Sequence, residues 1–261
     1  MTTRFPRLAR LGALAAALAM LAGCGKGTST NPTILSQDQA DDAALQVAAG
    51  LHVVGTDVSA SGSAYVTGAP QAGLQQAQFD TVFVNNGITF EITRTFFDAA
   101  GDSLSGYGPT AVRLLWTSRA FGTFSTDRDT ATVGHDAALD VRNIEAGKDT
   151  LDFAGFSNDS LQNVFRSYDG TRTRYAHVVS NATWADVMLL KNRTLDPWPL
   201  SGTMVWTLSI DRLRSNNVGD VASHFNATVT VTFNGTADPD ITVNGVWRYK
   251  LDLITGAIVR V

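Results

Sequence analysis

The segment from His224 to Asn234 reads HFNATVTVTFN, and its polarity alternates with a period of two. Phe, Ala and Val occupy the odd-numbered positions of residues 225–233, and Asn and Thr occupy the positions between them. Because successive side chains of a β-strand point to opposite sides of the sheet, this alternation predicts a strand with one apolar and one polar face. Residues 204–210 (MVWTLSI) have the same pattern, and so do residues 241–253, which Gly245 interrupts.

A turn between two alternating segments gives the second signal. Residues 79–84 (FDTVFV) precede Asn85-Asn86-Gly87, after which Ile88, Phe90 and Ile92 alternate with polar residues. An Asn-Gly step between two such runs predicts a β-hairpin with a tight turn.

Weaker alternating runs fill most of the remaining chain, with turn residues such as 98–101 and 168–170 between them. They lie near residues 111–119, 128–134, 137–144, 149–156, 160–168, 171–180 and 183–190. Roughly a dozen strands with short connections run antiparallel to their neighbours, which predicts a large meander sheet. Its apolar face must be covered, so we expect a mainly β domain with a strongly curved or barrel-like sheet and one N-terminal helix packed on it. A two-sheet β-sandwich is the alternative.

The composition agrees with a β-rich protein. The 261 residues include 30 Thr and 23 Gly, whereas only Glu91 and Glu145 are glutamate and only four residues are lysine. Lys and Glu are typical of helix surfaces, whereas Thr favours strands and Gly favours turns, so a mostly helical fold is excluded. A hydrophobic fraction of 44% with 17% charged residues excludes disorder for most of the chain.

One helix is predicted, over residues 36–51. Ser36 and Gln39 have the spacing of a capping box, which marks a helix N-terminus. Apolar residues recur on one face at helical spacing: Ala40, Ala43, Ala44, Val47, Ala48 and Leu51. Because most of these side chains are small, we expect the helix to lie close against a sheet.

The first residues have the features of an export signal. Arg4, Arg7 and Arg10 precede an apolar segment, residues 11–20, that is too short to span a bilayer. The sequence Leu21-Ala22-Gly23-Cys24 then resembles the lipobox of bacterial lipoproteins. The resemblance implies that a diacylglycerol is attached to Cys24, the only cysteine, and that the signal is cut before this residue. The lipid would then hold the protein on a membrane.

This resemblance sets the expected domain boundaries and location. We expect a signal peptide over residues 1–23, a flexible tether over residues 24–35 and a single β-rich domain over residues 36–261. Gly25, which follows the lipidated cysteine, implies export to the outer membrane in lipoproteins of diderm bacteria. Loss of the three leader arginines takes the formal net charge from −4 to −7, which argues against a nucleic-acid partner.

The residues Gly101-Asp102-Ser103-Leu104 spell the block that carries the nucleophilic serine in the GDSL family of lipases and esterases. This resemblance implies Ser103 as a nucleophile and His224 as its base. The family places its histidine in an Asp-x-x-His block, whereas Asp220 to His224 is one residue longer, and its fold is α/β with long helices. We therefore expect no catalytic residue, and keep Ser103 and His224 as the alternative.

No metal or cofactor site is indicated. The four histidines, at positions 52, 135, 177 and 224, lie far apart in the sequence and have no metal-ligand spacing. Trp206 and Trp247 on predicted strands, with Arg172 and Arg174 beside a predicted hairpin, are the candidates for ligand binding. Tryptophans at such strand positions are more often core residues, and surface arginines more often pair with Asp.

The sequence thus predicts a cell-envelope lipoprotein that is a binding or structural module more than an enzyme. By pattern, a tethered sheet of this kind resembles the half-barrel lipoprotein carriers, which implies an apolar ligand inside the curved sheet; an envelope protein is the other expected partner. The alternatives are a secreted GDSL-like esterase that uses Ser103 and a transmembrane β-barrel component.

Overall fold

In the part of the chain that the computed structural model describes, twelve strands form one antiparallel sheet. The structure describes residues 34–48, 51, 81–85, 87–125, 129–166, 173–191, 198–216 and 219–261. Helix α1 covers residues 37–48, and residue 51 is also helical. The strands are β1 (Thr81–Asn85), β2 (Ile88–Phe97), β3 (Ser103–Leu104), β4 (Arg113–Ser125), β5 (Asp129–Arg142), β6 (Thr150–Arg166), β7 (Thr173–Leu190), β8 (Ser201–Asn216), β9 (Gly219–Thr232), β10 (Asp240–Val243), β11 (Trp247–Leu251) and β12 (Ile258–Arg260).

The strands follow one another as a meander, as the short connections predict. Eleven of them lie side by side in the order β1-β2-β4-β5-β6-β7-β8-β9-β10-β11-β12, and the two-residue strand β3 pairs with β2. Among the described residues β1 and β12 form the two edges, so the sheet is open. Over the described residues, the mainly β fold with one N-terminal helix is confirmed, and the strands do not divide into the two sheets of a sandwich.

Three of the predicted strand breaks are wrong. The sequence pattern stops near residues 135–136, 157–159 and 181–182, but β5, β6 and β7 continue through these positions as strands of 14, 17 and 18 residues. The apolar alternation fails there because polar side chains occupy buried positions in mid-strand, including His135, Ser157 and Ser180. In the sequence of a single strand, a polar residue at an inward position looks like the end of the strand.

The core lies on one side of the sheet, which we call the inner face and which carries α1. Its fully buried large side chains come from strands along most of the sheet: Leu114, Trp116, Leu139, Phe153, Met204, Trp206, Ile210, Ile241, Tyr249 and Leu251. The residues between them point to the opposite, outer face, where Thr and Asn are frequent. This confirms the apolar and polar faces that the period of two predicts.

Helix α1 begins at the predicted capping box. The Ser36 hydroxyl accepts from the Gln39 amide at 3.3 Å, and the Gln39 side chain accepts from the Ser36 amide at 3.0 Å. Its small residues Ala40, Ala43 and Ala44 have no exposed surface. Their small volume lets the helix backbone approach its neighbours closely.

Two polar contacts hold α1 on the sheet. The Tyr249 hydroxyl on β11 donates to Oδ1 of Asp41 at 2.7 Å, and Arg212 on β8 forms an ion pair with Asp42. These contacts attach adjacent residues of the helix to two strands that are three steps apart in the sheet. They therefore define how the helix lies across the strands.

Glycines allow irregularities in the long strands. Gly155 has a φ of 152°, and a Cβ atom there would lie 2.1 Å from the carbonyl oxygen of Ala138. Gly202 has a φ of 109°, and its Cβ would lie 2.4 Å from the carbonyl oxygen of Asp186. Both sit next to shifts in the strand register, where a bulge bends a strand and increases its twist.

We expect Tyr249→Phe to lower the free energy of unfolding by about 2 kcal/mol, because it removes a hydrogen bond to a charged acceptor. Burial, the hydrogen bond to Asp41 and the Asp41 charge all raise the pKa of Tyr249 above its usual value of 10.0. The unfolded tyrosine ionises first, so the wild type should lose stability as the pH rises above 10, and Tyr249→Phe should lack that part of the loss. Urea unfolding at several pH values measures both effects.

Tyr175→Phe, on the half-buried part of β7, is the matched control and should change stability little. Equal losses for the two variants would contradict a specific contribution from the Tyr249–Asp41 contact.

Candidate functional site

A group of polar side chains lies within the apolar inner face, and we call it the inner-face polar cluster. It consists of Ser118 on β4, His135 on β5, Ser157 and Asp159 on β6, and Ser180 on β7. Ser118 and His135 are each 8% exposed, and Ser157 and Ser180 are buried further. Buried polar groups need hydrogen-bond partners, so their arrangement decides whether the cluster is stable.

The strand register brings the cluster together. His135 lies directly opposite Asp159, and Asp159 lies directly opposite Ser180. Ser118 pairs with Ala137, which is two residues from His135 on the same face of β5, so Ser118 is a diagonal neighbour of the histidine. Four adjacent strands thus each contribute to one continuous polar group.

His135 bonds to a different partner through each ring nitrogen. Its Nδ1 lies 2.6 Å from Oδ1 of Asp159, and its Nε2 lies 3.3 Å from Oγ of Ser118. An ionised carboxylate only accepts hydrogen bonds, so these contacts assign the proton to Nδ1. In the neutral ring Nε2 is then an acceptor and receives the hydroxyl hydrogen of Ser118.

The other oxygen of Asp159 is also engaged. Oδ2 accepts from the hydroxyl of Ser180 at 3.4 Å and from that of Ser157 at 3.5 Å. The carboxylate, 27% exposed, is therefore held by groups from three strands. This fixes its orientation towards His135.

Two hydrogen-bond donors without acceptors lie beside Ser118. Trp116 precedes Ser118 by two residues on the inner face of β4, and its indole Nε1 has no partner among the described groups. Arg94 on β2 pairs with Trp116 in the register, and its guanidinium carbon stands 4.7 Å from the centre of the Trp116 ring. The Nε of Arg94 is likewise buried without a partner, and burial lowers the pKa of this guanidinium.

Two further tryptophans of the inner face also have indole N–H groups without a partner among the described residues. They are Trp184 on β7, which is 6% exposed, and Trp206 on β8, which is 1% exposed. Leaving a buried donor unpaired costs about 1–3 kcal/mol. These unpaired donors lie among the buried apolar side chains of the inner face.

The structure does not bring Ser103 and His224 together. Ser103 lies on β3 and His224 on β9, seven strand-to-strand steps apart in the sheet. Nδ1 of His224 contacts Oδ1 of Asp211 at 2.6 Å, on the outer face, and this carboxylate is also 3.9 Å from Nδ1 of His177. Ser103 directly follows the turn after β2, in which Asp98 accepts from the amides of Ala100 and Asp102.

The ligand-binding candidates fall into different surroundings. Trp206 is a core residue of the inner face, and Trp247 is partly buried on β11 with Arg260 at 5.9 Å from its ring centre. Arg174 is exposed on β7. Arg172 and Cys24 lie outside the described residues.

One surface pocket, of about 410 Å³, lies beside the turn after β2. Arg113 and Arg142 line it, and Asp140 binds both: its Oδ1 is 2.5 Å from Nε of Arg113, and its Oδ2 is 2.9 Å from Nη2 of Arg142. The arginines are therefore largely engaged in an ion-pair network. Within the described ranges no group of three or more His, Cys, Asp or Glu side chains is placed to hold a metal ion.

Sequence reasoning missed the inner-face polar cluster. Its members are separated in the chain by 17 residues between Ser118 and His135, and by 24 between His135 and Asp159. One signal was present: polar residues stand at inward positions of strands whose other inward positions are apolar. This pattern marks a buried polar residue, but it does not say which residues meet.

We expect Asp159→Asn to lower the free energy of unfolding by about 2–3 kcal/mol, because it weakens several hydrogen bonds to a largely buried charge. Urea-induced unfolding measures the change. The control is Asp136→Asn on the outer face of β5, whose carboxylate lies 3.3 Å from Nε of Arg119 in an exposed pair. That variant should lose less than about 1 kcal/mol, and a similar loss in both would contradict a structural contribution from the cluster.

Comparison with known proteins gives no relative of this chain. No family model, no curated protein and no solved structure matches the chain. The chemistry of the inner face must therefore be argued from its own residues.

Proposed function

We propose that the protein is a cell-envelope lipoprotein, held on the membrane by a lipid on Cys24 and exported to the outer membrane. The support is the order of features at the N-terminus, in which three arginines and an apolar segment lead to Leu-Ala-Gly-Cys. No helix in the described part of the chain is long and apolar enough to cross a membrane. The anchor in this proposal is the acyl group, since each methylene that it buries contributes about 0.8 kcal/mol.

The β domain acts in this proposal as a binding module whose ligand lies on the inner face. The observation that carries the proposal is the set of buried donors that have no acceptor in the described part of the chain, namely the indole N–H groups of Trp116, Trp184 and Trp206 and the Nε of Arg94. Their surroundings are apolar, so a ligand that satisfies them combines an apolar chain with acceptor oxygens. A fatty acyl group with a carboxylate or ester end has this chemistry.

The anchor is tested by Cys24→Ser in the full chain expressed in a bacterial host. We expect the variant to leave the membrane fraction and to lose labelling by an alkyne fatty acid, because it lacks the thiol to which the lipid is attached. Ser29→Ala, in the same tether, is the control and should keep both properties. Unchanged membrane retention of Cys24→Ser would rule out the lipid anchor.

Ligand binding is tested with dodecanoate, followed by the intrinsic tryptophan fluorescence of the protein. We expect saturable binding of dodecanoate and none of dodecyltrimethylammonium, which has the same chain but no acceptor. Trp116→Phe keeps an aromatic ring and removes the N–H, so it should weaken binding about tenfold.

Trp247→Phe, on β11 away from the inner-face polar cluster, should bind dodecanoate as the wild type does. A wild-type protein that binds neither compound, or that binds both equally, would refute the proposed ligand chemistry.

A further inference from the structure

We propose that Ser118 is the nucleophile of an ester-hydrolysing site on the inner face, with His135 as its general base and Asp159 as the carboxylate that orients the histidine. The inference rests on the proposed function, because the substrate is the ester form of the acyl ligand described there. It adds a reaction to a binding site.

The contacts have the order that this chemistry requires. A serine becomes a useful nucleophile when a base within hydrogen-bond reach removes its proton, and the base must be held in the correct tautomer. Ser118 Oγ lies 3.3 Å from Nε2 of His135, and the opposite nitrogen lies 2.6 Å from Asp159. The proton on Nδ1 leaves the lone pair of Nε2 directed at the serine.

Asp159 also has polar neighbours at its second oxygen, which favour one orientation of the carboxylate. Ser157 and Ser180 both donate to its second oxygen, so the carboxylate is held from its own strand and from β7. A geometry held by packed strands is more exact than one held by loops. Asp159 is a positioning residue, since it contacts neither the ester nor the attacking oxygen.

The developing oxyanion requires donors, and the backbone is not a source of them at this position. β4 is a central strand that pairs with β2 and β5 on both sides of Ser118, so its main-chain groups belong to the ladders. The unpaired donors beside Ser118 are side-chain groups: Nε1 of Trp116 and Nε of Arg94. Preorganised donors without another acceptor are the kind that stabilise an oxyanion.

The register places these two donors next to the nucleophile. Ser118 pairs with Ile92 on β2, and Trp116 pairs with Arg94. Arg94 is therefore diagonal to Ser118 on one side, and His135 is diagonal to it on the other. An ester carbonyl above Ser118 would have the base on the β5 side and the cationic donor on the β2 side.

The reaction balances with water as the second reactant. Oγ of Ser118 forms a bond to the carbonyl carbon while its proton moves to Nε2 of His135, and the negative charge goes to the carbonyl oxygen. The bond from carbon to the alcohol oxygen then breaks, and the alcohol takes the proton from Nε2. Water attacks the acyl-serine in the same way, which releases the carboxylic acid and restores the serine hydroxyl.

The deciding experiment treats the full chain, in the membrane fraction of the expressing cells, with a fluorophosphonate probe that phosphonylates activated serines. We expect one labelled peptide, which carries Ser118, and hydrolysis of 4-nitrophenyl butyrate that the probe abolishes. Ser118→Ala should lose both properties, and His135→Gln should react at least about 100-fold more slowly. Ser103→Ala is the matched control and should keep both.

Asp159 has its own readout. Asp159→Asn should reduce the labelling rate, and Asp159→Glu should restore part of it, because a carboxylate can again accept from Nδ1. If Asp159 had only a structural role, the labelling rate would not depend on whether residue 159 carries a negative charge. If Ser118→Ala fails to fold, the mapped peptide of the wild type decides, since it needs no variant.

An unlabelled wild-type protein, or a label on any serine other than Ser118, overturns the inference. Dodecanoate binding separates this failure from that of the proposed function. A protein that binds dodecanoate but does not react with the probe is a binding module without catalysis, whereas one that does neither contradicts both proposals.

Discussion

Every inward position of the long strands is set by the hydrogen-bonded ladders that join β4 to β9, which are continuous except at the register shifts near Gly155 and Gly202. Between these shifts the ladders hold six long strands in register, so each inward position lies in a row with inward positions of its neighbours. A shift of one residue in any pair would turn Thr and Asn inward and expose the apolar row. The alternation of apolar and polar residues along the strands therefore also fixes how neighbouring strands pair.

Burial of the inner face then requires a cover, and α1 supplies part of it. Its alanines bring the helix backbone close to its neighbours, and Tyr249 and Arg212 tie its acidic residues Asp41 and Asp42 to two separate strands. A helix with larger apolar side chains would stand farther from these partners. Small volume and two polar contacts thus act together in placing the helix.

The inner-face polar cluster is the exception to this apolar surface. Burying a serine or a carboxylate costs free energy unless it is hydrogen-bonded, and the members of the cluster satisfy one another across four strands. Two of the unpaired donors among the described residues, on Trp116 and Arg94, stand beside Ser118, and two more, on Trp184 and Trp206, lie elsewhere on the inner face. The inner-face polar cluster therefore places hydrogen-bonding groups at defined positions within an apolar face, and its burial has a cost in stability.

Local patterns in the sequence predict the strands, the Asn-Gly hairpin, the capped helix and the two faces of the sheet, because each depends on residues close together in the chain. The local pattern fails near residues 135–136, 157–159 and 181–182, because the buried polar residues His135, Ser157 and Ser180 lie in or beside these positions while each strand continues. The hydrogen bonds of His135 to Ser118 and Asp159, by contrast, follow from the folded chain. Ser118 and Asp159 are neighbours of that histidine through the pairing of separate strands, and pairing depends on the register of whole strands rather than on any local pattern.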